Sequence, residues 1–292
     1  MGTRDDSVAE TGAVGTVGFI GAGQIGAPMV EQLLAAGHRV RVYARRAEVR
    51  ERMAAAGAEL VNRARDIAEA DAVVSCLYSD AQMLEVLPEV VRAMDSSTVL
   101  LSHTTGRPQT LTRLEEVAAP RKPALVEAPF SGTPEAIRAR RLAVYLAGEA
   151  EHVAIARKVV SAYADPIIPT GARGSALRVK LLNNLLFAAI TQLTLRGIEA
   201  GRAMGIQEDT LLEALAVSSG GSNAGRYIVE RGGAESFASR ITPFLRKDLA
   251  ACRDAAQEAG VDLSDLLAAA YAGPMNLTDE TGVTGSKNGV HA

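Results

Sequence analysis

Cysteine is scarce in this chain of 292 residues: Cys76 and Cys252 stand far apart, one in an apolar run and one in a helical stretch. That excludes a disulfide framework and leaves no thiolate spacing for a metal site. A reducing cytoplasm suits such a chain. Bulk positive charge is lacking too, since 31 Lys and Arg against 34 Asp and Glu leave a net charge of −3 with no long basic run. Nothing in that balance draws the protein to nucleic acid or to an anionic membrane surface. The opening MGTRDDSVAETGA carries an acidic pair where a secretory signal has positive charge and an apolar run, and no later segment reads as an isolated membrane span. Internal repeats and low-complexity linkers are missing as well. What is left is a globular chain, 48% hydrophobic, long enough for two cores.

Residues 174–204 contain no helix breaker except Gly197, and their Leu, Ala and Ile residues exceed a single amphipathic stripe. The pattern predicts one long helix buried on most sides. Helical spacing places Asn183 and Asn184 one turn on from Lys180, with Phe187 and Thr191 continuing that side. An unpaired buried ammonium costs on the order of several kcal/mol, so a lysine and two amides on such a helix need partners and a reason to be there.

Near the start, the apolar run 14–20 is followed by Gly21-Ala22-Gly23-Gln24-Ile25-Gly26 and an apolar-periodic stretch to Ala36. Strand, glycine turn and helix in that order form a dinucleotide-binding unit. Gly21 permits the tight turn, Gly23 lets the backbone approach a pyrophosphate, Gly26 lets helix pack on strand, and the helix N-terminus faces the phosphates. A second strand, RVRVY at 39–43, ends in Tyr43-Ala44-Arg45-Arg46. An acid there would bind the ribose hydroxyls of NAD; two guanidinium groups suit the 2′-phosphate of NADP. NADP is therefore the expected cofactor, ahead of NAD.

Strand and helix patterns alternate onward, with strands at 71–77, 97–102, 124–128, 142–146 and 167–168. The alternation predicts a doubly wound parallel sheet of Rossmann type, with ligands at the carboxyl ends of its strands. Those ends carry Leu77 and Tyr78, then His103, Thr104 and Thr105, then Pro129 to Thr133. They are expected to line the cofactor and substrate cleft, with His103 a loop histidine near the cofactor rather than a general base. Past Met204 only helices follow, at 207–217, 222–231, 240–259 and 263–272. The expected organisation is thus an NADP-binding domain over 14–170 and an all-helical substrate and dimerisation domain over 171–275, joined by the long helix. Residues 1–13 and 276–292 read as flexible ends. A helical half that opens on so apolar a helix needs a second copy to cover it, so at least a homodimer is expected.

Four segments in this order resemble the β-hydroxyacid dehydrogenases, a family that includes 3-hydroxyisobutyrate dehydrogenase, tartronate semialdehyde reductase and, more distantly, 6-phosphogluconate dehydrogenase. GFIGAGQIGAPMVEQLLAAGHRVRVYARR looks like the family's nucleotide-binding opening, and EAPFSGTPEAIRARRLAVYLAG is similar to its substrate-loop pattern. GSALRVKLLNN matches its catalytic helix and FLRKDLAACRDAA its late helix. The resemblance implies that Lys180 is the catalytic acid/base, and that Ser131 and Gly132, beside Thr133, hold a substrate carboxylate. It implies further that Asn184, with Asn183, is a substrate-binding amide, and that Lys247, positioned by Asp248, reaches the nicotinamide. The chain departs from the pattern in having Glu127 for an aspartate, Ser102 for an acid, and Thr133, Ala136 and Arg140 for glycines. Those departures put the usual small hydroxyacids in question and leave two other readings open: an imine reductase-like enzyme, or a non-catalytic NADP-binding protein.

Overall fold

The computed structural model describes residues 15–278, which fall into two compact units divided at Lys180 and Leu181. The first unit begins with β1 (Thr16–Ile20), α1 (Gly26–Ala35), β2 (Arg39–Tyr43), α2 (Ala47–Ala55) and β3 (Glu59–Val61). A 3-10 helix (Ala64–Glu69) leads to β4 (Ala72–Ser75), α3 (Asp80–Ala93), β5 (Val99–Ser102), α4 (Gln109–Ala118) and β6 (Ala124–Glu127). It continues with β7 (Phe130–Ser131), α5 (Pro134–Arg138), β8 (Leu142–Ala147), α6 (Ala150–Val160) and β9 (Ala164–Gly171).

The sheet runs β3-β2-β1-β4-β5-β6-β8-β7, with β9 also paired to β8. Its first six strands in that order are mutually parallel, which is the doubly wound arrangement. To this parallel sheet is added one reversed strand, β8, which runs antiparallel to β6 and β7 and parallel to β9. Alternation along the strands divides the core between two faces. Val17, Phe19, Ala72, Val74, Leu101 and Val126 pack with α1, α2 and α6; Ile20, Val73, Leu100 and Leu125 pack with the 3-10 helix, α3 and α4.

The long helix is α7 (Ser175–Ala203), and the division between the units falls inside it. The second unit adds α8 (Glu208–Ala216), α9 (Asn223–Glu230), α10 (Ala234–Glu258) and α11 (Ser264–Tyr271). Helix α10 starts six residues earlier than expected, directly after Gly233 at φ 102°, and carries Pro243 within it. Leu181, Leu185, Ala188, Leu195 and Ile198 of α7 form this unit's core with Leu212, Ile228, Phe237, Leu245, Leu249 and Ala270. The opposite stripe of α7, Leu182, Leu186, Ile190 and Leu193, is exposed, so the helix is not buried on most sides within one chain.

Of the ends expected to be flexible, 1–13 and 279–292 lie outside the described residues. The packed chain continues past 275, however: Leu277 is only 1% exposed, and the backbone of Met275 both donates to and accepts from the buried side chain of Gln192.

Candidate active site

The glycine turn between β1 and α1 is shaped by what its residues lack. Gly21 has φ 94°, and a Cβ there would lie 2.2 Å from the carbonyl oxygen of Cys76 at the end of β4. Only glycine fits both the angle and the space. At Gly26 a Cβ would stand 2.1 Å from Gly21 O and 2.9 Å from the Phe19 ring, so the helix seats directly on the turn. Gly23 differs: its Cβ would meet nothing within 4 Å. A phosphate can come against the backbone at that position, and Gln24 and Ile25 lead from it into α1, which has no side-chain cap and no acid in its first turn. The turn therefore fits a dinucleotide pyrophosphate.

Arg45 and Arg46 follow β2 and are exposed, Arg45 paired with Glu85 at 3.0 Å and Arg46 with Glu48 at 3.6 Å. Sequence reasoning missed Arg52 of α2, whose Nη2 donates to Ala22 O at 3.2 Å and Gly23 O at 3.3 Å, bracing the turn from outside. An arginine on a polar helix face carries no signal of such a bond. Leu77 and Tyr78 follow β4: Leu77 O accepts from Thr104 Oγ1 at 3.0 Å, and Tyr78 N donates to Gln82 Oε1 at 3.0 Å while its ring is half exposed. Thr105 follows β5, half-buried. Arg45, Arg46, Leu77, Tyr78 and Thr105 all follow the carboxyl ends of parallel strands.

His103 lies in the connection after β5, as expected, but is buried there. It is 2% exposed, with Nδ1 2.5 Å from Ala128 O and Nε2 2.8 Å from Tyr163 Oη, and its ring meets Phe130 and Tyr163 edge-on. Burial pulls its pKa down to about 4, so it is a neutral pin between strands and not a proton carrier near neutral pH.

Within Pro129 to Thr133, the segment expected to line the cleft, Phe130 and Ser131 form β7 along β8. Phe130 and Ser131 pair with Val144 and Ala143, and Tyr145 N donates to Pro129 O. Gly132 has φ 142°, with Leu142 close behind it. Thr133 caps α5, its hydroxyl accepting from Ala136 N. That helix ends in paired bonds from Arg140 N to Ile137 O and Arg141 N to Ala136 O, a Schellman ending with Arg140 at φ 55°. Among the described residues it is the one non-glycine with positive φ. Arg138, Arg140 and Arg141 are all exposed.

The last part of the first unit is the start of α7. Glu127, 1% exposed at the end of β6, accepts from Gly174 N at 2.5 Å through Oε1 and from Leu177 N at 3.1 Å through Oε2. Burial raises its pKa, while those N–H groups and Arg173 pull the other way. Arg173 forms a two-pronged ion pair with Glu115 of α4. Lys180 is half-buried, three residues beyond Leu177.

Asn183 and Asn184 come one turn later on the same helix. In the second unit Asn183 Nδ2 donates to Asn184 Oδ1 at 3.0 Å, and Asn184 Nδ2 donates to Asp248 Oδ2 at 2.5 Å. Lys247 Nζ lies 2.8 Å from Asp248 Oδ1. Asp248 thus gathers Asn184 and Lys247, two residues far apart in sequence, onto one carboxylate.

Comparison with known proteins agrees with this fold. The family described as the NAD binding domain of 6-phosphogluconate dehydrogenase matches residues 16–171, and that described as the NAD-binding domain of NADP-dependent 3-hydroxyisobutyrate dehydrogenase matches 174–282. An NAD-dependent L-serine dehydrogenase of Pseudomonas aeruginosa is 28% identical over 82% of this chain and 85% of its own length. A 3-hydroxyisobutyrate dehydrogenase of the same organism is 29% identical over 70% of each chain. The fold is shared with the Mycobacterium tuberculosis 3-hydroxyisobutyrate dehydrogenase solved with L-serine, at a TM-score of 0.76, 24% identity and coverage of 88% of this chain and 91% of that one. With the glycine turn, the parallel sheet and the helical second unit all in place, the chain belongs to the β-hydroxyacid dehydrogenase family of NAD(P)-dependent oxidoreductases.

Proposed function

We propose that the protein moves a hydride between NADP and a small β-hydroxyacid or the corresponding semialdehyde or keto acid, with Lys180 as general acid/base. The observation that carries this reading is the placement of Lys180 on the helix whose start is bonded to β6, the strand that runs into Ser131 and Gly132. Bound nicotinamide supplies the hydride acceptor or donor. In oxidation the alcohol carbon loses a hydride while neutral Lys180 Nζ takes the hydroxyl proton; in reduction the ammonium returns a proton to the forming alkoxide. Ser131 and the Gly132 backbone hold the carboxylate, with Thr133 shaping the segment through its cap on α5. Asn183 and Asn184 present amides to the substrate, and Asp248 holds Asn184 and Lys247 in place, Lys247 serving the cofactor. Gly21, Gly23, Gln24, Ile25 and Gly26 receive the pyrophosphate, with Leu77, Tyr78 and Thr105 along the nicotinamide half.

The NADP preference rests on Arg45 and Arg46 at the end of β2, where no acid stands for the ribose hydroxyls. The Arg45–Glu85 pair is exposed, and such pairs are worth about 0–1 kcal/mol, so a 2′-phosphate can displace Glu85. The NAD-dependent serine dehydrogenase among the relatives marks the rival preference. L-serine and 3-hydroxyisobutyrate, named for two relatives, are the first probe substrates. Nicotinamide fluorescence titrations should give tighter NADPH than NADH binding, lost on replacing Arg45 and Arg46; equal affinities would overturn the preference. Lys180→Ala should cut turnover about a hundredfold with NADPH affinity unchanged, and near-normal turnover would refute the acid/base role.

The exposed stripe of Leu182, Leu186, Ile190 and Leu193 supports a homodimer closed through α7, since monomers rarely leave so continuous an apolar row on one helix uncovered. Sedimentation should show a dimer that Leu186→Glu converts to monomer; a monomeric wild type would sink it.

A further inference from the structure

Glu127 sits on β6, yet its bonds are those of a helix cap. Counting Ser175 as the first residue of α7, Gly174 is the cap position and Leu177 the third helical residue. Those are the two N–H groups that a capping box satisfies from within a helix. Here one carboxylate from a neighbouring strand satisfies both, one oxygen to each. Because each oxygen is engaged, the carboxylate can neither rotate nor slide without losing a bond. Its negative charge also lies where the helix dipole favours it. One residue back, Arg173 is gripped by Glu115 of α4. Residues 173, 174 and 177 are thus held from two elements at once.

We propose that Glu127 is a positioning residue for the reaction: by clamping the first turn of α7 to β6 it sets where Lys180 stands relative to Ser131 and Gly132. The strand that carries Glu127 continues within four residues to Ser131, so a single side chain joins the segment read as holding the carboxylate to the helix read as carrying the proton. Lys180 follows Leu177 by roughly 4.5 Å of helix rise, too short a span for the helix to absorb a shift of its first turn. A misplacement of about 1 Å at a reacting group can cost about a hundredfold in rate. Both bonds to Glu127 run from the start of α7 and neither from the glycine turn, so replacing Glu127 is expected to leave the pyrophosphate seat as it is. This inference rests on the reading of Lys180 as the acid/base.

Glu127→Gln keeps the shape but turns one acceptor into an NH2 facing an N–H. With the probe substrate turned over fastest, kcat should fall by about tenfold or more while NADPH affinity stays within about twofold. Hydrogen exchange should quicken at the amides of 174–180. On a Lys180→Ala background the same change should lower turnover by no more than about twofold, because two residues acting as one unit are not additive. Glu127→Asp, which keeps the charge on a shorter arm, should fall between the two and serves if the Gln variant does not fold. Unchanged kcat in Glu127→Gln, or an equal loss with and without Lys180, would overturn the positioning role. Should Lys180→Ala alone retain normal turnover, the acid/base reading falls on its own account, and exchange at 174–180 still decides the clamp, with unchanged exchange overturning it.

Discussion

Two turns in the first unit follow the carboxyl ends of two strands of one sheet, β1 and β6, and are built in opposite ways. The turn of Gly21 to Gly26 takes its form from missing side chains: the chain folds back on Cys76 O and on itself at distances no Cβ could enter. The segment from Ala128 to Arg141 takes its form from side chains that are present. His103 holds Ala128 O, Thr133 caps α5, and Arg140 accepts a left-handed angle that closes the helix. A pyrophosphate is the same in every dinucleotide, so a backbone surface serves it. On the proposed reading substrate recognition falls to the second segment, where the sequence has Thr133, Ala136 and Arg140 in place of glycines.

That contrast can be broken or sharpened by substitution. The largest effect belongs to Gly21→Ala, which adds a clash at 2.2 Å to a strained angle and should cost on the order of 3 kcal/mol or more of thermal and denaturant stability. Its partner test is Gly23→Ala, which should leave apo stability within about 0.5 kcal/mol yet weaken dinucleotide binding about tenfold, as the added methyl enters only open space. If both variants lose stability equally, Gly23 is a structural glycine and not a phosphate seat.

The side-chain-built segment is tested next by pH. The folded pKa of His103, about 4, lies below its unfolded value near 6.5, so only the unfolded chain takes up that proton between the two. Stability from this group is complete above about pH 6.5 and is lost as pH falls toward 4, on the order of 3 kcal/mol over the window. Glu127, with a raised pKa, acts in the opposite sense and offsets part of the loss. Denaturant melts from pH 7 to 4 should show a shallower decline for His103→Asn than for the wild type; parallel curves would mean the histidine is not buried neutral. The smallest effect is at Arg140. Glycine there removes the left-handed penalty but adds freedom to the unfolded chain and loses the bond to Ser161 O, for a net gain of about 0.5 kcal/mol. A loss would place the strain elsewhere in the segment.

Much of this architecture is legible in the residues, and the parts that are not have physical reasons. The glycine turn can be read because angle, close approach and helix seating each demand glycine at a stated spacing. The long helix can be read because nothing in it stops a helix. Strand β3 and the 3-10 helix escape notice because ELV and ARDIAE are too short and too polar for any period to emerge. The reversed direction of β8 is hidden because alternation along a strand is the same in parallel and antiparallel pairing. The early start of α10 is obscured because its serines propagate a helix weakly, although the Gly232-Gly233 pair marks the boundary. At the site, Lys180 and its amides stand out by chemistry within one helix. Asp248 joining Asn184 to Lys247, and Glu127 reaching Gly174, are contacts between distant residues, and no local pattern records them.

Gln192 gives the second unit one further property. Its wholly buried amide donates to Ala270 O and Met275 O and accepts from Met275 N, and a Cβ on Gly273 would lie 2.2 Å from its Oε1. A primary amide offers a donor and an acceptor side by side, as a peptide group does, so Gln192 acts as a one-residue strand against which the returning chain docks. The residues after α11 therefore need no sheet and no regular structure of their own to be held. Over residues 272–278 what must be kept is a bare position 273 and the apolar side chains of Met275 and Leu277 that this docking delivers to the core.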